Sequence, residues 1–107
     1  MMALILTPFE RQLVDATARA LADQARLREL RVFGSRARGE ARAESDLDIA
    51  VVFDGAFDRV AAQRVADLAA EAAADSAVQL VPLFADEPPS LLRSALAREG
   101  VTVWTRT

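Results

Sequence analysis

Asp46 and Asp48 flank Leu47 at the head of an apolar run, "LDIAVVF", and twelve residues before Asp46 another apolar run stops at Gly34-Ser35. In an extended strand, residues two apart point to the same face, about 6.5 Å apart at roughly 3.3 Å per residue. The two carboxylates then project together, while Leu47, Ile49 and Val51 turn to the opposite face and are available for burial. Paired carboxylates repel unless positive charge lies between them, which divalent cations supply well; a two-metal site needs ions only about 3.5–4 Å apart. At Gly34-Ser35 a missing side chain and a hydroxyl allow a backbone amide and an Oγ to come close to a phosphate. If the two runs are neighbouring strands, phosphate donors and metal ligands face one pocket suited to a magnesium-bound nucleotide. Taken singly, an Asp-X-Asp or a Gly-Ser is weak, since acids and small residues at strand ends also cap turns.

The elements that must position these residues follow from periodicity. Phe9, Leu13, Ala16, Ala20 and Leu21 recur at three- and four-residue steps after a Thr-Pro start, predicting an amphipathic helix from Thr7 to about Leu27. Leu30–Phe33 reads as a short strand, "SRARGEARA" as a turn with at most one helical turn, and Leu47–Phe53 as a second strand closed by Asp54-Gly55. Phe57, Ala61, Val65, Leu68 and Ala72 mark a second long helix. Ala77–Phe84 is a third strand, with Pro82 indicating an edge or a strand end. Leu91–Arg98 is a helix that Gly100 stops, and "VTVW" is a last strand. Helices and strands alternate without repeat or linker, so the fold class is α+β (mixed α/β), a mixed sheet of about three to four strands packed with helices. The 107 residues fit a single domain, 1–107.

Composition narrows the chemistry. The chain has no His, no Cys and no Lys, so all 13 cations are Arg. That removes an imidazole base, a thiolate nucleophile, a cysteine or histidine metal site and the P-loop, whose lysine touches phosphate. A formal charge of −3 argues against a nucleic-acid-binding surface. Apolar residues make up 52% and charged residues 27%, enough for a core and a solvated surface. The apolar start "MMALIL" lacks a basic leader and is shorter than a membrane span, so no membrane association is expected and the localisation expected is cytoplasmic.

The string "GSRARGEARAESDLDIAV" resembles the signature of the nucleotidyltransferase superfamily related to DNA polymerase beta, and in particular its minimal nucleotidyltransferase branch, small proteins usually encoded beside a HEPN-domain partner. The order of elements over most of the chain is similar too. The resemblance implies transfer of AMP from ATP, with Mg2+, to a tyrosine hydroxyl of the HEPN ribonuclease toxin, making this protein the antitoxin of a toxin-antitoxin pair and a hetero-oligomer with its toxin. It assigns Gly34 and Ser35 to the triphosphate and Asp46 and Asp48 to the metal. Arg36 and Arg38 either add phosphate contacts or pair with nearby acids such as Glu40 and Glu44, and Ser45 and Gly39 shape the turn. The chain has no Tyr, so an acceptor tyrosine must belong to another molecule.

One position departs from the pattern. The superfamily generally adds a third carboxylate from the later strand, and here that position is Gln79, which offers a neutral oxygen but no charge and no useful basicity. Three readings stay open. The acceptor brings its own acid or loses its proton without a protein base; another acid, such as Asp86 or Glu87, reaches in; or transfer is weakened and the protein neutralises its toxin by binding alone. A small-molecule transferase would be expected to carry an additional substrate domain. Met1, Met2, Leu4, Ile5 and Leu6 either contribute to a partner surface or pack on the domain's own core. Trp104 is expected in the core or an interface, and Arg26, Arg28 and Arg31 at a solvated helix end.

Overall fold

The computed structural model describes residues 6–39, 46–75 and 78–106. The elements run α1 (Pro8–Ala20), β1 (Leu27–Phe33), α2 (Ser35–Arg38), β2 (Leu47–Phe53), α3 (Arg59–Asp75), β3 (Val78–Phe84), α4 (Leu91–Glu99) and β4 (Val101–Thr105). The strands form one mixed sheet in the order β3-β2-β1-β4, with β1 antiparallel to β2 and β4, and β2 parallel to β3. This is the α+β arrangement expected from the alternation of patterns. Pro82 lies on an edge strand, where a missing N–H costs no ladder bond on the open side.

Two boundaries differ from the sequence reading, each for a physical reason. The first helix ends at Ala20, not near Leu27, and β1 begins at Leu27 rather than Leu30. Leu27 and Leu30 are both buried although three apart, a helix-like spacing, because the pairing with β2 shifts between Leu27 and Glu29. The buried stripe of α1 is also rotated from the expected one: Val14, Thr17 and Ala18 face the core, while Phe9 and Ala16 are exposed. Thr17 tolerates burial because its hydroxyl donates to the Leu13 carbonyl, 2.8 Å away. Phe57 lies outside α3, which starts after Asp58, whose carboxylate accepts from the Val60 and Ala61 amides.

The sheet is covered on both faces. Leu47, Ile49, Val51 and Phe53 of β2 join Leu30 and Val32 of β1 against Val14 and Leu21 from the first helical segment and Ala61 and Val65 of α3. On the other face, Ala50 and Val52 meet Leu83 and Leu96, so α4 covers that side. Central strand β2 is therefore buried on both sides, which explains its continuous apolar run. The Phe53 and Phe84 rings stack with centroids 5.1 Å apart, at the end of the sheet remote from Asp48. Trp104 is half-buried against the larger core cluster. Among the described residues, no helix is long and apolar enough to cross a membrane.

Phe53→Ala opens a cavity beneath that stack and is expected to cost about 3–5 kcal/mol. Phe9→Ala, on the exposed side of α1, is expected to cost about 0.5 kcal/mol. Urea unfolding midpoints of the two variants check the assignment of faces.

Candidate active site

Gly34 turns the chain out of β1 with φ +77° and ψ −157°, a backbone conformation that is essentially restricted to glycine. A Cβ at this position would lie 2.5 Å from Oδ2 of Asp48. The missing side chain is thus required twice, by the backbone and by the carboxylate packed against it. Ser35 opens the one-turn helix α2, and the Gly34 carbonyl accepts from the Arg38 amide at 3.1 Å. The structure brings the Gly-Ser turn and the Asp-X-Asp run to the same end of adjacent antiparallel strands, with Phe33 paired to Asp48.

Asp46 is exposed one residue before β2, and Asp48 is half-buried within it. Strand alternation places Asp48 on the face that carries Ala50 and Val52, the face α4 covers further along. Burial, and then the negative charge of Asp46, push the Asp48 carboxyl above its ordinary range. Across the parallel pairing, Gln79 stands directly beside Asp48, and its amide nitrogen donates to Oδ2 of Asp46 at 3.4 Å. Gln79 is thus the β3 residue that the pairing sets beside the two aspartates. Among the described residues no cluster of three or more acidic, histidine or cysteine side chains is placed to hold a metal ion.

Asp86 and Glu87 do not reach this end. Because β3 runs parallel to β2, they follow its far terminus, roughly 20 Å away along seven extended residues. There the Asp86 amide donates to the Gly55 carbonyl, and the Glu87 carboxylate accepts from the Phe84 amide. That reading of the missing acid is corrected by the topology.

The arginines of α2 meet partners remote in sequence. Arg36 forms a bidentate pair with Glu10, Nη1 to Oε2 at 2.6 Å and Nη2 to Oε1 at 2.7 Å, with side chains only 16% and 13% exposed. The Arg36 guanidinium holds the Glu10 carboxyl below its ordinary range, and Arg36 is itself pushed up. Arg38 pairs with Glu99 at 2.9 Å, and this bond, aided by the Gly34 backbone, lowers the Glu99 carboxyl. The expected partners Glu40 and Glu44, together with Ser45 and the apolar Met1, Met2, Leu4 and Ile5, lie outside the described residues, while Leu6 packs on the core. Glu10 and Glu99 were not foreseen: "TPFE" signals a helix cap, but nothing local in the sequence signals a contact 26 residues away.

Arg26, Arg28 and Arg31 do not form a solvated helix end. Arg26 lies in the turn before β1, donates to the carbonyls of Asp54 and Ala56, and sits 5.9 Å from the Phe84 ring. Arg28 and Arg31 belong to β1, and Arg31 donates to the Gly100 carbonyl at 3.0 Å.

Two substitutions at the site should move stability in opposite directions. The raised Asp48 carboxyl means that the folded protein holds this proton to higher pH than the unfolded chain, so its ionisation opposes folding as pH rises through that window. Asp48→Asn is expected to raise the Tm of the metal- and nucleotide-free protein at pH 7, with the gain shrinking as pH falls through the raised Asp48 range and gone below about pH 4, where the carboxyl is protonated in the unfolded chain as well. Gly34→Ala should lose about 1–3 kcal/mol. Thermal melts across pH check both.

The polymerase beta nucleotidyltransferase family matches residues 17–107. Among solved structures, a Sulfolobus solfataricus protein superposes with a TM-score of 0.66 at 24% identity, covering 90% of this chain and 80% of that one, a likeness of fold. A toxin-antitoxin structure with AMP-PNP matches at a TM-score of 0.59 and 28% identity, over 87% of this chain and 73% of that one. A chain of the complex between a tri-AMPylated Shewanella oneidensis HEPN toxin and its MNT antitoxin matches at a TM-score of 0.57 and 26% identity, over 90% and 73%. A sequence search of curated proteins finds no match. The family match runs through all four strands and contains the Gly34-Ser35 turn, both aspartates and Gln79, so the chain belongs to the polymerase beta nucleotidyltransferase family.

Proposed function

We propose that this protein is the antitoxin of a HEPN/MNT pair and transfers AMP from Mg-ATP to a tyrosine hydroxyl of its HEPN toxin. The observation that carries this reading is the packing of Asp48 against the Gly34 turn, with Asp46 beside it, which puts candidate phosphate donors and metal ligands at one end of two paired strands. Likeness to toxin-antitoxin complexes, one with AMP-PNP and one with a tri-AMPylated toxin, supports the class of partner and of reaction.

In this reading the Gly34 turn and the Ser35 hydroxyl hold the triphosphate. Asp46 and Asp48 would hold Mg2+, and their donor set fits: a half-buried carboxylate raised by burial and then by the charge of its neighbour is a group that a divalent cation relieves. Bound there, the metal supplies charge neutralisation at the α-phosphate and the departing pyrophosphate. The tyrosine oxygen forms a bond to the α-phosphorus, the α–β phosphoanhydride breaks, and pyrophosphate leaves. Gln79 cannot take up the tyrosine proton, so that proton goes to solvent or to a group on the partner. Positioning and electrostatics, rather than base catalysis, are what this chain's side chains contribute.

Gln79 favours one second reading, an antitoxin that binds its toxin without modifying it. The two readings separate in the intact mass of the HEPN protein encoded alongside, after incubation with this protein and Mg-ATP. Transfer predicts added AMP units, lost with Asp46→Asn plus Asp48→Asn and formed faster with Gln79→Asp. An unmodified toxin held in a stable complex would instead establish the binding antitoxin.

A further inference from the structure

The four-residue helix α2 carries Ser35 and follows Gly34 directly, yet a single helical turn has almost no stability of its own. Its placement must come from tertiary contacts, and among them is the bidentate pair that Arg36 makes with Glu10. The carboxylate of Glu10 uses both oxygens here: Oε1 accepts from the Thr7 amide at 2.9 Å and from Arg36 Nη2, and Oε2 accepts from Arg36 Nη1. One side chain therefore closes the N-terminal cap of α1 and clamps the second residue of α2.

We infer that Glu10 is a positioning residue for the nucleotide site, acting through Arg36 to fix the Gly34-Ser35 turn against Asp48. The inference rests on the nucleotide-binding reading of that turn. Two planar groups joined by parallel hydrogen bonds define an orientation as well as a distance, which a point charge does not. Arg36 sits two residues after Gly34, so a tilt of its guanidinium plane carries over to the amides and hydroxyl of the turn. With both outer nitrogens engaged by Glu10, Arg36 serves the site by holding the turn, in place of the direct phosphate contact that its sequence position suggests.

The sign of a single substitution separates these roles. Glu10→Gln keeps a side chain that can close the cap of α1 but removes the charge that holds Arg36. If Arg36 were a phosphate ligand restrained by Glu10, releasing it would tighten nucleotide binding. If Glu10 positions the turn, binding weakens.

The test is calorimetric titration of Mg-ATP into the full chain, as wild type, Glu10→Gln, Arg36→Lys and the double variant, each held well below its own Tm. The expected result is about a tenfold weaker Kd for each single variant and no further loss in the double, because both act through one contact. Arg36→Lys retains the charge, so its loss of affinity with a near-native urea midpoint reports orientation rather than unfolding. Tighter binding by Glu10→Gln, an unchanged Kd, or additive losses in the double variant would overturn the positioning role while leaving the nucleotide site in place. Absence of Mg-ATP binding by the wild type would overturn the nucleotide site and the positioning role together.

Discussion

The contact between the Asp48 carboxylate and the Gly34 turn constrains everything around it. With only 2.5 Å between Oδ2 and the place of a missing Cβ, the turn accepts glycine alone, and the carboxylate has lost part of its water. Holding an acid in that state requires a rigid support. Strand β2 supplies it, paired on both sides and buried on both faces from Ala50 to Phe53. The molecule thus places an electrostatically unfavourable pair, Asp46 and Asp48, at the open end of its most secure element, an arrangement common where stability is traded for chemistry.

Arginine use follows the same division. The chain has 13 arginines and no lysine, yet the two on the short helix that follows Gly34 are engaged by carboxylates, Arg36 by Glu10 and Arg38 by Glu99. Those acids come from the start of α1 and the end of α4, so both pairs tie the short helix α2 to distant parts of the fold. The positive charge of the short helix is thus engaged in geometry. In the proposed reading, the described groups left to meet a phosphate are backbone amides, the Ser35 hydroxyl and the cations that the two aspartates would bring, which makes the proposed nucleotide and metal sites a single unit.

Much of this was legible in the sequence, and the failures have causes. Leu47–Phe53 was readable end to end because a strand buried on both faces is an unbroken apolar run bounded by turn residues. The convergence of Gly34 with Asp48 was legible only as a condition: the residues stand at the end of one strand and the start of the next, and the antiparallel pairing that brings those ends together is a tertiary fact. The start of β1 was misread because a register shift gives Leu27 and Leu30 a helical spacing, and the buried face of α1 was misread because Thr17 hides its hydroxyl on its own helix. Asp86 and Glu87 looked available only while the direction of β3 was unknown. The pairs Arg36–Glu10 and Arg38–Glu99 span 26 and 61 residues, and contacts between elements at that separation leave no periodic trace in a single sequence.

The claim that matters most is that the glycine turn and the two aspartates form one site for nucleotide and metal. It is tested most directly by the Tm of the protein with Mg2+ alone, ATP alone and both, for the wild type and for Asp46→Asn with Asp48→Asn. If the site is one unit, Mg2+ and ATP together raise the Tm by more than the sum of their separate shifts, and the double variant loses that excess. A shift with ATP that ignores Mg2+, or an excess that survives in the double variant, would contradict the account.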